Sequence, residues 1–151
     1  MTVIVTTDVP GSRTLLGAGT EMNTLANGNY VSNGTITAAG ATDIVVEVAV
    51  TPGTVSGNKQ LLVFVQVSMD NTNFSTGPTS GTTTTDQVNL KQIGVLPLNT
   101  NSTLQRDEWS LKEALGFVPA YAKVIVFNDS GAALAGSGNT VYYQLYNSNS
   151  Q

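Results

Sequence analysis

The sequence predicts an all-β chain, a single-domain antiparallel β-sandwich or jelly roll of about eight strands. Three observations predict it. Val, Ile and Thr supply 44 of the 151 residues, and branching at Cβ suits a pleated surface better than a helix. Apolar and polar residues alternate with period two in several segments. Gly, Asn, Asp, Ser and Pro collect between those segments, where turns are needed.

Taken in order, the first strand is expected at 3–7, on Val3, Ile4 and Val5. With Leu15 and Leu16 but weak turn signals around them, the stretch 1–27 reads as an extended N-terminal arm, and 28–151 as the sandwich proper. A strand at 28–37 contains Asn33-Gly34, a dipeptide that accepts positive φ and so marks a tight turn or a bulge. In 42–51, Ile44, Val46, Val48 and Val50 share one face, which is the pattern of a half-buried strand. Residues 51–58 read as a hairpin loop. In 59–70, Leu61, Val63, Val65, Val67 and Met69 share one face while Leu62 and Phe64 begin the other. A strand apolar on both faces is central in its sheet or covered by a partner.

The stretch 71–86 holds Thr82 to Thr85 in an unbroken run and too little apolar surface to order itself, so an exposed excursion is expected there. Strands follow at 88–98, 122–128 and 140–146. The segment 104–115 reads either as a helix, with Leu104, Leu111 and Leu115 near one face, or as a strand centred on Trp109. The link 131–138 carries Ala133 and Leu134 and almost no charge, which suggests contact with a neighbouring subunit. In the last strand Val141, Tyr143 and Leu145 are assigned to the core face. Tyr142, Gln144 and Tyr146 then form an outer stripe suited to a protein interface.

Composition removes much chemistry. His and Cys are absent, so a Ser-His-Asp triad, a thiol nucleophile, a thiolate zinc site and a disulfide are impossible. A net charge of −4 with only six basic residues opposes a sequence-independent grip on nucleic acid. The longest aliphatic and aromatic run, 61–65, is far too short to cross a bilayer as a helix, and no signal peptide is read at the N-terminus. Asp107 and Glu108 are adjacent and would point to opposite faces of a strand, which defeats a paired-carboxylate site. Asp70-Asn71-Thr72-Asn73 offers oxygen ligands without the Gly and distal Glu of a calcium loop, and reads as an Asx turn. Gly17-Ala18-Gly19 and Gly136-Ser137-Gly138 lack the Lys-Ser or Lys-Thr of a phosphate-binding loop. No catalytic, metal or cofactor residue is assigned.

The C-terminal run from Lys123 through Asn128-Asp129-Ser130-Gly131, the Ala-rich link, Ser137-Gly138-Asn139-Thr140 and Tyr142-Tyr143 to Tyr146 resembles the C-terminus of a family of small tailed-bacteriophage virion proteins. Asn27 to Gly34 resembles the N-terminal portion of that family, and Val67 to Asp70 with Phe74 its central hairpin, so that the likeness spans about 25–147. The resemblance implies a non-enzymatic β-sandwich component of the virion, assembled in the host cytoplasm. The leading expectation is a capsid decoration or cement protein that bridges subunits on the head exterior. A tail or baseplate protein serving in host attachment is the alternative, and a carbohydrate-binding module using Trp109 and the Tyr cluster a third. Expected partners are the major capsid protein or neighbouring virion proteins and further copies of the chain in a dimer or trimer, with neither nucleic acid nor membrane. The candidate interface is Val3, Ile4, Val5, Leu15, Leu16, Ala133, Leu134, Tyr142 and Tyr146, with residues 1–27 pairing to another chain by strand addition.

Overall fold

The computed structural model describes residues 6–150. It is a sandwich of two antiparallel sheets built from ten strands: β1 (Thr6–Pro10), β2 (Thr14–Leu15), β3 (Tyr30–Thr37), β4 (Asp43–Val50), β5 (Gln60–Ser68), β6 (Ser80–Gly81), β7 (Lys91–Pro97), β8 (Gln105–Ser110), β9 (Tyr121–Asp129) and β10 (Thr140–Ser150). One sheet, A, has the order β1-β10-β4-β8, with β2 also on β10; the other, B, has the order β6-β3-β9-β5-β7. The expectation of about eight strands omitted the two-residue strands β2 and β6, which are too short to show a period.

From β3 to β5 and again from β7 to β10 the chain changes sheet at each connection. Residues 51–58 are therefore a crossover and not the hairpin loop expected. Pro52 bridges to Leu134 and Ser56 N–H donates to Ser130 O, so this crossover is tied to the link before β10.

The core lies between the sheets and follows the alternation. Ile44, Val46, Val48 and Val50 of β4 meet Leu61, Val63 and Val65 of β5 and Ala122, Val124 and Val126 of β9. Fully burying one such aliphatic side chain is worth about 1.5–3 kcal/mol. A bulge sits in β3 where Asn33-Gly34 suggested one: Ser32 pairs with Ile125 but Thr35 with Lys123, one residue too many on β3. That extra residue changes the phase of the alternation. Tyr30 faces outward and Ile36 inward, although both occupy even positions.

The outer face of sheet B is covered by the chain itself. Tyr30, Phe64, Leu90 and Ile125 form a second buried cluster there. Leu90 comes from the end of the 70–90 excursion, which contains β6 and a 3₁₀ turn at Gln87–Asn89. The two-faced apolarity of β5 has this physical cause: its outer residue Phe64 belongs to that cluster, and Leu62 packs beside it.

Both readings of 104–115 hold in part. Gln105–Ser110 is strand β8, and Leu111–Leu115 is a one-turn helix, α1. Ser110 Oγ accepts from Glu113 N–H at 3.0 Å and Gly116 closes the turn at φ 78°, so a capping sequence starts the helix and a glycine stops it. Leu111 is buried and fixes α1 against the core.

From Thr6 onward the N-terminal segment is part of the sandwich, its strands β1 and β2 pairing with β10 of the same chain where a separate arm, 1–27, pairing with another chain was expected. Leu16, Met22 and Leu25 belong to the core cluster. Strands β1 and β2 follow one another along the same side of β10: Pro10 pairs with Tyr146 and Thr14 with Tyr143, with one extra residue between. Gly11 N–H to Leu145 O at 2.7 Å and Leu16 N–H to Val141 O at 2.9 Å keep this edge attached.

Candidate assembly surfaces

The outer face of sheet A carries the Tyr142, Gln144 and Tyr146 stripe, each half-buried, while Tyr143 and Leu145 pack against the core. In register, Tyr142 lies between Leu15 of β2 and Glu47 of β4, and Glu47 lies beside Glu108 of β8. Arg13 organises this row. Its guanidinium sits 3.3 Å from the Tyr142 ring centroid and grips Glu47 at 2.6 and 3.2 Å. The hydrogen bond to Glu47 raises the Arg13 pKa further above its ordinary value. Arg106 reaches the same carboxylate at 4.0 Å. Charge on this face is therefore largely paired within the chain, which leaves the tyrosine rings as its distinguishing chemistry.

The other candidate residues do not join them. Leu15 is 39% exposed beside Tyr142, but its neighbour Leu16 is buried in the core. Ala133 is exposed at the opposite end of β10, whereas Leu134 is buried. Leu16 and Leu134 are consequently unavailable to a partner, and the apolar link 131–138 is explained by its own fold. Leu134 N–H donates to Leu25 O and Ala135 N–H to Thr51 O, closing the link over the end of the sandwich. Val3, Ile4 and Val5 lie outside the described residues.

Two buried asparagines hold this closure. Asn128 Nδ2 donates to Leu25 O and Ala132 O, both at 2.8 Å, and its Oδ1 accepts from Ser130 N–H. Asn139 Oδ1 accepts from Thr51 N–H at 2.9 Å while its Nδ2 donates to Ala135 O and to Asn23 Oδ1. Both lie in the C-terminal run 123–146, and each accepts from a main-chain N–H, of Ser130 or of Thr51, that would otherwise be orphaned.

Trp109 is not an outward platform. It faces inward from β8, and a Cβ placed on Gly94 of β7 would collide with its indole. It closes the gap between the sheet edges β7 and β8. Asp70 forms the expected Asx turn, its carboxylate accepting from Thr72 N–H at 2.9 Å and Asn73 N–H at 2.7 Å. Among the described residues no group of three or more His, Cys, Asp or Glu is placed to hold a metal ion. No helix among the described residues is long and apolar enough to cross a membrane.

Two surfaces were not singled out from sequence. β10 pairs with β4 only from Thr140 to Tyr146, so its last four residues and β1 extend past β4 as a two-stranded ribbon. Beside the same end, Val67, Met69, Phe117, Val118 and Pro119 line an apolar cleft of about 520 Å³, with Met69 94% and Phe117 51% exposed. Ala38 N–H to Ala120 O and Thr42 N–H to Tyr146 O place cleft and ribbon at one end of the molecule. The signal for the cleft was the apolar group Phe117-Val118-Pro119, which no strand period absorbs.

A scan against models of protein families finds no match to this chain, and a search of curated proteins finds none either.

Proposed function

We propose that this chain is a non-enzymatic structural component of a tailed-bacteriophage virion, a decoration or cement protein that binds the head exterior and bridges neighbouring capsid subunits. The observation that carries this reading is the likeness of the run from Lys123 to Tyr146 to the C-terminus of a family of small virion proteins. The roles of Asn128 and Asn139 support it, because they give that pattern a reason: the motif closes one end of the sandwich. The ribbon and the apolar cleft support it too. Exposed large apolar side chains gathered in one place mark protein contacts, and an open two-stranded ribbon offers unpaired backbone groups to a further strand. Contacts of this size are individually weak, and repetition by symmetry multiplies them.

Separating heads from tails in virions of the virus that encodes this chain, and analysing each fraction by mass spectrometry, tests the reading. The chain is expected with the heads and to be lost with a fall in their thermal stability. Its recovery with tails alone favours the baseplate reading, and its absence from particles overturns both.

A further inference from the structure

A second concave site lies on the outer face of sheet B, the opposite sheet from the tyrosine stripe, and has a different chemistry. It is an open depression of about 530 Å³, within the roughly 300–1,000 Å³ usual for small-ligand sites. β5 and β9 give its floor through Gln66 and Lys123, and the 70–90 excursion gives its walls through Phe74, Thr83, Thr85 and Asp86.

The walls are held from several directions. Gln66 is 3% exposed and its Nε2 donates to Gly77 O at 3.2 Å, which fixes the excursion on the sheet. Ser75 N–H donates to Val67 O, and Asn89 Nδ2 to Thr76 Oγ1 at 2.8 Å. Leu90 packs into the buried cluster beneath, so the excursion that sequence presents as merely exposed is anchored at both ends. Asp86 stands at φ 57°, a left-handed backbone that few residues other than Gly, Asn and Asp adopt readily.

Against this scaffold the two charged groups carry no ion pair among the described residues, while Thr83 Oγ1 donates to Thr85 Oγ1 at 3.2 Å. Among the described residues the Asp86 carboxylate makes no side-chain hydrogen bond, and the Lys123 ammonium has no ion pair, resting instead 4.1 Å from the Phe74 ring centroid. The two opposite charges face one depression without pairing to each other. A ligand of strong net charge gains at one of them and loses at the other. A polyol gains at both, because a hydroxyl donates to carboxylate and accepts from ammonium with equal ease; Thr83 Oγ1 already donates to Thr85 Oγ1 and accepts from Thr85 N–H, which leaves the Thr85 hydroxyl to donate. Phe74 adds a small apolar surface of the kind that meets the C–H face of a sugar ring.

We propose that this depression binds a saccharide, with Asp86 accepting from sugar hydroxyls, Lys123 and the hydroxyl of Thr85 completing the hydrogen bonds, and Phe74 alongside the ring. The site lies on the opposite sheet from the tyrosine stripe and borders the apolar cleft, whose lining includes Val67 and Asn73 next to Gln66 and Phe74. It also moves saccharide recognition away from Trp109, whose ring is committed between the sheets.

The test is an array of immobilised defined oligosaccharides probed with the full chain, followed by calorimetric titration of the strongest hit against wild type, D86N, K123Q and W109F. D86N removes the charge with a residue that tolerates the left-handed backbone, and an unchanged melting temperature shows that it folds. D86N and K123Q are each expected to weaken binding about tenfold or more, and W109F to leave it within about twofold. An array with no saccharide above background overturns the proposal. So does binding that D86N and K123Q leave unchanged, binding lost in W109F alone, or capture of peptides in a parallel array with no saccharide.

Discussion

Single side chains in this protein chiefly satisfy backbone groups. Asn128 is fully buried and serves three main-chain partners; Leu25 O keeps Leu134 N–H and Ala132 O keeps Ser130 Oγ without it, so Asn128→Ala strands the Ser130 amide and removes one bond from each carbonyl. The expected cost is about 1–3 kcal/mol, read as a lower midpoint with unchanged slope in equilibrium urea unfolding. Asp70 acts similarly at the surface. Main-chain N–H groups of Asn73 and Thr72, then the side chains of Asn73 and Ser68, hold its pKa well below the usual carboxylate range. The folded chain thus gives up its charge less readily than the unfolded one. Its contribution is fully present above the unfolded value of about 4 and disappears as pH falls through the folded value. Wild type is expected to melt above Asp70→Asn at neutral pH, and the gap to close progressively in scans taken below about pH 4. A gap independent of pH would assign the turn's stability to shape alone.

At the scale of elements, irregular positions set the architecture. Asn33-Gly34 was legible as a turn or bulge because its chemistry is local, and the bulge it forms is what turns Ile36 inward. The pairing of Gly94 with Trp109 was not legible, since it joins residues of different sheets and no period or turn signal connects them. The structure makes it testable. Gly94→Ala pushes a methyl group into the indole and is expected to cost about 1–3 kcal/mol, with the fluorescence of the single Trp shifting to the red as the ring is displaced. In a Trp109→Leu background the same substitution should cost much less, and a double-mutant cycle by urea unfolding measures the difference. Additive effects would mean that the two residues do not share the edge.

For the whole molecule, strand positions were legible because β4, β5 and β9 obey a period of two, whereas the pairing order was not, because it arises from connections that change sheet. The same limit applies to the candidate interface. Tyr142 and Tyr146 were placed on an outer face by alternation alone, but Leu16 and Leu134 sit in irregular segments where apolar character does not distinguish an interface from a core. Met69 and Phe117 show the converse, apolar residues at a strand end and in a connection that remain outside. This division of the N-terminal segment yields the sharpest test of the assembly reading. Residues Thr7–Pro10 are exposed and contribute nothing to the core, whereas Leu16 is buried in it. Removing residues 1–10 is expected to leave a cooperatively folded protein, while removing 1–20 also deletes Leu16 and should cost at least about 2 kcal/mol. If the ribbon is the contact with the capsid, the shorter deletion alone abolishes retention on particles in sedimentation with heads. A folded 1–10 deletion that sediments like the full chain would take the ribbon out of the interface and leave the cleft around Met69 and Phe117 to carry it, where Phe117→Ser should then have the larger effect.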